Sequence, residues 1–137
     1  RLTNLSRYYS GRLLQFPASL IVNGNPVLNN PTRDRWFDTS VFTAVPDTGT
    51  NQRRVNPYNF KGLVGPDTFQ TDATLSKSFP IRESMKLEFR LEVYNVTNRI
   101  NWENPVLTFG NVNFGKVIAK RNAYVGREVQ YGLRFVF

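Results

Sequence analysis

Histidine and cysteine are both absent from the 137-residue chain. Their absence excludes zinc centres, iron–sulfur ligation, thiol nucleophiles, the Ser-His-Asp triad and any histidine general base. Carboxylates, Lys, Ser and Tyr are what remain for catalysis. Without cysteine there are no disulfide staples, so the redox compartment cannot be read. No run of 18 apolar residues exists, so no transmembrane helix is expected. No basic segment leads into an apolar one, so no signal-peptide pattern is visible. Acidic residues are the minority, 10 against 18 Lys+Arg, which leaves a formal charge of +8. That balance suits an anionic partner such as nucleic acid, a lipopolysaccharide-like surface or an acidic substrate. The charge is dispersed: residues 1–66 carry 8 basic and 3 acidic groups, residues 67–137 carry 10 and 7, and no five like charges are consecutive.

What the chain does have is aromatic bulk and alternation. Aromatics make up 14% and hydrophobic residues 40%, enough for a core within one domain or part of one. From Met85 to Val93 every odd residue is apolar (Met85, Leu87, Phe89, Leu91, Val93) and every even one is charged (Lys86, Glu88, Arg90, Glu92). Period two without exception specifies a strand with one apolar and one polar face. The last residues repeat the pattern, with Val129, Tyr131, Leu133, Phe135 and Phe137 against Glu128, Gln130, Gly132 and Arg134, and with Val136 the one exception. Thr68 to Phe79 is a third such segment, with Thr71 and Lys77 as imperfections on its apolar face.

The connections are uneven. Pro80 cannot donate to a ladder, so a five-residue turn is expected at residues 80–84. Residues 95–126 form a long connection rich in Asn and Gly, and residues 23–66 resemble it in composition. The first 22 residues are ambiguous: Leu13-Leu14 and Ala18 to Val22 are strand candidates on either side of Pro17. Matching faces across the 80–84 turn requires paired residue numbers with an even sum. A sum of 162 opposes Asp72 with Arg90 and Ser76 with Lys86. A sum of 164 would oppose Asp72 with Glu92, and like charges opposed across a strand pair cost roughly 0.2–1 kcal/mol. The expected register is therefore the one with Asp72 opposite Arg90.

Candidate chemistry is sparse. Asp72, Glu88 and Glu92 could be imagined as a carboxylate pair for glycoside hydrolysis. The alternating signs of Lys86, Glu88, Arg90 and Glu92 fit a self-neutralising row on a polar face better. Gly62 to Gly65 lacks the Gly-Lys-Ser/Thr element of a phosphate loop and reads as a turn. Asn95-Val96-Thr97 matches the N-glycosylation pattern, a three-residue match that is discounted as chance. Basic residues in the connections (Arg33, Arg35, Arg53, Arg54, Lys61, Lys116, Lys120, Arg121) lie among Trp36, Phe37, Tyr58, Phe60 and Trp102. Such a mixture could grip nucleic acid, but no nucleic-acid fold motif supports that use. Anionic surface glycolipid, or a substrate, is the other candidate ligand. The sequence assigns no catalytic, cofactor-binding or metal-binding residue.

Two readings of the strands remain: a soluble β-sandwich serving as a binding module, for example for carbohydrate, and a transmembrane barrel. Strands of ten to twelve residues exceed the ~5–6 usual in globular sheets and match the ~9–11 that span a bilayer. One short turn followed by a connection of some thirty residues fits the short periplasmic turns and long external loops of barrels. Gln130-x-Gly132-x-x-Phe135-x-Phe137 resembles the C-terminal signal by which barrel assembly machinery recognises its clients. The stretches Gly62 to Phe69, Asp72 to Ile81 and Leu87 to Asn98 are similar to the end of TonB-dependent receptors of the Oar-like type. Their full-length members carry a carboxypeptidase-regulatory-like domain before the plug. Arg33 to Phe42 and Tyr9 to Leu14 resemble external-loop segments of that family, so the resemblance covers most of the chain.

The resemblance implies an all-β, antiparallel fold from the C-terminal end of a large outer-membrane barrel. Residues 1–137 would be one C-terminal segment, with residues 1–22 a candidate strand and loop entry, 23–66 an external loop and 67–137 the last three strands. It implies a non-enzymatic part of a receptor or transporter for a large or scarce substrate, located in the cell outer membrane, with no cofactor. Gln130, Gly132, Phe135 and Phe137 would be the assembly signal. The expected partners are outer-membrane lipid, the assembly machinery and the remainder of the parent barrel, but not nucleic acid. The plug, the energy-coupling box and most of about 22 strands are not in this sequence.

Overall fold

The computed structural model describes residues 1–45, 54–122 and 126–137. The strands are β1 (Leu2–Tyr9), β2 (Leu20–Val22), β3 (Phe42–Ala44), β4 (Thr68–Arg82), β5 (Met85–Tyr94) and β6 (Glu128–Val136), with a 3-10 turn at Thr39–Val41 before β3. All pairings between these strands are antiparallel. The chain divides into two compact units.

The first unit comprises Arg1–Tyr9, Thr68–Asn101 and Asn122–Phe137. It is a four-stranded sheet in the order β1-β4-β5-β6. As the alternation predicts, β5 pairs with both β4 and β6. Opposed residues share a face, so Leu75 meets Leu91 and Phe79 meets Leu87 on one side of β5. On its other side Leu87 meets Phe135, Phe89 meets Leu133 and Leu91 meets Tyr131. The apolar positions therefore share one face, interrupted by Lys77 opposite Phe89, and the charged positions of β5 form the other.

Three expectations need correction. First, Pro80 does not end its strand. β4 continues to Arg82 and the turn is the two residues Glu83 and Ser84. Pro80 lies past the stretch of β4 that β1 covers and beside an irregularity between Pro80 and Arg82. An edge stretch and a bulge are the sheet environments that tolerate a missing N–H. Second, the register follows from that shorter turn. Ser76 opposes Arg90 and Thr74 opposes Glu92, so the pair sum is 166, and Asp72 faces neither Arg90 nor Glu92. The even sum holds, because a one-residue slip would turn the apolar set to the other face. Within that parity, turn geometry outweighs a few tenths of a kcal/mol of charge pairing. Third, the beginning of the chain supplies a full strand, β1, paired with β4 from Leu2 opposite Leu75 to Tyr9 opposite Thr68. Leu13 makes only an isolated bridge to Val64, and Leu20–Val22 pairs with Phe42–Ala44 rather than joining the main sheet.

β5 ends four residues before the start of β4 is reached, and the segment after it completes the ladder. Val96 N–H donates to the Thr71 carbonyl at 2.8 Å. The Asn101 side chain then acts as a surrogate strand: Phe69 N–H donates to its Oδ1 at 2.9 Å and its Nδ2 donates to the Phe69 carbonyl at 3.0 Å. Asp72 accepts the Asn95 N–H at 2.9 Å. Asn95 and Asn98 hold positive φ of 50° and 51°, a conformation Asn adopts more readily than most residues. Asn95 is also buried, and its amide bonds both backbone groups of Arg99. Its part in the glycosylation-like triplet is thus a structural turn.

The second unit comprises Ser10–Asp67 and Trp102–Arg121. These long connections form a folded unit with its own core, Leu14, Phe16, Leu20, Phe37, Phe42 and Leu63, against which Trp36, Phe60, Leu107 and Phe114 pack. Phe37 has ring centroids of Phe16, Phe42 and Phe114 at 5.5, 5.4 and 5.3 Å, within the range of favourable aromatic pairs. Two glycines let this core close. A Cβ on Gly11 would overlap the Gly65 carbonyl oxygen, and Gly115 has φ +81° beside Phe37 and Thr39.

Candidate functional site

The first candidate is the sheet's apolar face. Its residues are large and uncovered: Val129 is 59%, Tyr131 76% and Leu133 67% exposed. Phe79 and Leu75 are exposed too. On the centre strand, Leu87, Phe89, Leu91 and Val93 are half-buried by their neighbours in the sheet. A soluble sandwich would cover this face with a second sheet. Its exposure in an antiparallel sheet with strands of 8–15 residues fits hydrocarbon as the missing cover.

The opposite face is polar and largely self-neutralising. Lys86 Nζ lies 2.7 Å from Glu88 Oε1, and Arg90 lies 2.6 Å from Glu92 Oε1. Glu88 opposes Arg134 across the β5–β6 ladder. Asp72 accepts from Gln70 and from the Asn95 backbone. Of the carboxylates considered for hydrolysis, Glu88 and Glu92 are in ion pairs and Asp72 is held by hydrogen bonds. Partly solvated pairs of this kind contribute about 0–1 kcal/mol each, so the row serves mainly to keep that face wettable.

The sheet has a direction. The β4–β5 connection is the two-residue turn at one end, whereas the β1–β4 and β5–β6 connections are long and leave from the other. This asymmetry is that of outer-membrane barrels.

The second candidate is β6, which holds all four positions of the expected assembly signal or borders them. Gln130 and Gly132 lie on the polar face opposite Glu92 and Arg90, and Phe135 lies on the apolar face opposite Leu87. Phe137 follows the strand and is 91% exposed, with its ring centroid 6.0 Å from that of Phe135. Among the described residues nothing lies within 4 Å of a Cβ built on Gly132. Packing inside this chain therefore does not require glycine there. β6 pairs on its β5 side only, and β1 on its β4 side only, among the described residues.

The connection residues fall into two groups. Phe37 is fully buried, while Phe60 and Trp36 pack on the core and Trp36 Nε1 donates to the Val64 carbonyl at 2.7 Å. These aromatics are structural. Others remain near the surface: Arg33 sits 4.4 Å over the Trp102 ring and Arg54 4.9 Å over that of Tyr58. Arg35 pairs with Asp38 at 2.9 Å. Two hydrogen bonds from Ser40, its hydroxyl first and its backbone N–H second, together with Arg35, hold the Asp38 carboxyl below its ordinary value of 3.8. Arg53 lies outside the described residues.

Comparison with known proteins decides the family. Residues 3–130 match the family model described as an outer membrane beta barrel domain. The chain belongs to the outer membrane beta barrel domain family. Its location is the cell outer membrane, and its all-β antiparallel sheet fits that domain. No curated protein and no solved structure matches it. Sequence reasoning placed the candidate strand of residues 1–22 at Leu13-Leu14 or Ala18 to Val22 rather than at Leu2–Tyr9, and it missed the folded core of the connections. Neither carries the period-two signal that marks β5 and β6.

Proposed function

We propose that this outer-membrane chain is the C-terminal segment of a TonB-dependent receptor, a non-enzymatic transporter that takes up a large or scarce substrate. One observation carries the proposal: a barrel sheet open at both edges, with long connections at one end that fold around a core of their own. Among the described residues the sheet has four strands, too few to close a barrel, since the smallest have about 8. The edges of β1 and β6 therefore need further strands from a parent protein. The folded connections suit a receptor that presents a shaped external surface, and the resemblance of Gly62 to Phe69, Asp72 to Ile81 and Leu87 to Asn98 points to the TonB-dependent type. Its partners in this reading are lipid, the parent barrel and the assembly machinery, which would dock on β6 through Gln130, Gly132, Phe135 and Phe137. The open space at Gly132 supports that role, because a docking partner can use it and the chain itself does not.

The test is made on the complete gene product in its own outer membrane. A reading frame that joins a plug domain and an energy-coupling box to Arg1, together with a cross-link from that box to the periplasmic energy-transducing partner, supports the proposal. A product that closes its barrel without plug or box contradicts it. For the signal, F135A and F137A should lower the amount of heat-modifiable barrel several-fold at unchanged synthesis, and unchanged assembly would remove β6 from that role.

A further inference from the structure

The second unit carries a cationic surface that its core does not use. Residues 33–36, 115–119 and 102–106 run side by side. Trp36 N–H donates to the Gly115 carbonyl at 2.8 Å and Val117 N–H to the Arg33 carbonyl at 2.7 Å. On the other side Glu103 N–H donates to the Ala119 carbonyl at 3.0 Å and Val106 N–H to the Lys116 carbonyl at 2.9 Å. In the extended middle segment Val117 is buried at 4% exposure, so its neighbours Lys116 and Ile118 belong to the other side. Lys120 continues that side. Lys120 bridges directly opposite Trp102, which places the two side chains on a common face. The Arg33 guanidinium, stacked 4.4 Å over Trp102, joins them.

The result is Arg33 and Lys120 at one indole, with Lys116 about 13 Å farther along the same side of the extended segment and Ile118, 59% exposed, between the two lysines. Among the described residues no carboxylate lies within ion-pair distance of these three cations, although Arg35 pairs with Asp38 and Arg121 with Glu103 nearby. Carboxylates close in sequence are Asp34, which is exposed, and Glu103, which is half-buried. Three unneutralised cations raise the local concentration of an anion. A guanidinium has five N–H donors, and a cation–π contact with an indole occupies none of them as a hydrogen bond, so they can still meet oxyanions.

We propose that Arg33, Trp102, Lys116 and Lys120 form a binding site for a saccharide bearing phosphate or carboxylate groups. Arg33 and Lys120 take the anionic group, Lys116 extends the charge along the chain of sugars, and Ile118 and the exposed part of the indole meet the apolar faces of the sugar rings. In the outer membrane that chemistry has two sources, the phosphorylated headgroup of a surface glycolipid and a soluble anionic glycan. The inference does not depend on the transport reading, since the site lies wholly within the connections.

The experiment uses the full-length protein purified in detergent, with a bisphosphorylated glucosamine disaccharide, a linear polyuronate and neutral dextran as probes. Binding is followed by Trp102 emission, assigned by its loss in W102F. Expected are binding of an anionic probe, none of dextran, and weakening as salt is raised from 0.05 to 0.5 M, as about three cationic contacts require. R33A/K120A should weaken binding about tenfold or more. R33K/K120R should recover part of it, since charge returns but the planar fork at position 33 does not. Preference for the disaccharide identifies the headgroup as the source, and preference for the polyuronate identifies a soluble glycan. Equal binding of dextran, or full binding by a folded R33A/K120A protein with unchanged heat-modifiable mobility, would overturn the proposal.

Discussion

The same side chains are placed in opposite ways in the two units. In the sheet, Tyr131 and Leu133 stand 76% and 67% exposed, whereas in the connections Phe37, Leu14 and Phe16 are 0%, 1% and 2% exposed. Both arrangements follow from one rule with two solvents. Removing apolar area from water stabilises by roughly 25 cal/mol per Å². The connections, surrounded by water, must do this within themselves. A sheet in lipid gains nothing by covering an apolar face and instead must pair every backbone group. Asn101 shows the second requirement at work, because a side-chain amide fills the ladder where β5 stops short.

The comparison is broken most strongly at Phe37. F37A removes the ring that Phe16, Phe42 and Phe114 surround, and large-to-small changes at such sites cost about 3–5 kcal/mol. The expected outcome is rapid protease cleavage of the connections in intact outer membranes, with the barrel's heat-modifiable mobility retained. Loss of both would mean that the sheet depends on the connections. L133R is the matching change in the sheet. A cation on the lipid face at mid-membrane depth costs about 2–4 kcal/mol, falling to about 0–1 near the interfaces. Refolding titrations into lipid vesicles should show that loss for L133R and almost none for Q130R, one strand face away.

How much of this was legible differs between the units for the same reason. β5 and β6 alternate without interruption over the residues that matter, so their faces, their pairing and the even parity of the register could be read directly. β1 could not, because Leu2 and Tyr8 share a face with Asn4 and Ser6 while Leu5 and Tyr9 lie on the other. Its strand character comes from pairing with β4, not from its own pattern. The register within even parity depended on Glu83-Ser84 being the turn, and Pro80 concealed it. The core of the connections draws Leu14, Phe37, Leu63 and Phe114 from across the chain, at spacings that carry no period. Of the candidate site residues, the faces of Gln130, Gly132 and Phe135 were legible from alternation, and the grouping of Arg33 with Trp102 and Lys120 was not, because tertiary pairing creates it.

Smaller changes sharpen the comparison. N101A leaves the Phe69 N–H and carbonyl without their side-chain partner, and unmet backbone groups cost about 1–3 kcal/mol. Amide hydrogen exchange at Phe69 should speed up by a corresponding factor, while exchange at Phe89, paired within the sheet on both sides, stays unchanged. The smallest effect is at Asp38. Its carboxyl is held below its ordinary value by Ser40 and Arg35, so its contribution is present above that value and is lost as pH falls through the lowered one. Protease resistance of the connections should fall slightly on acidification below about pH 3.8, and D38N should remove that component while leaving the sheet's response to acid as it was.

The central claim is that the two faces of β6 meet different media. Single cysteines placed from Val129 to Phe135 in the full-length protein, spin-labelled in a lipid bilayer, report collisions with oxygen, which concentrates in lipid, and with a water-soluble nickel chelate. High oxygen access is expected at positions 129, 131, 133 and 135 and low oxygen access at 130, 132 and 134. Uniform access along the strand, or nickel access exceeding oxygen access at position 133, would contradict the account.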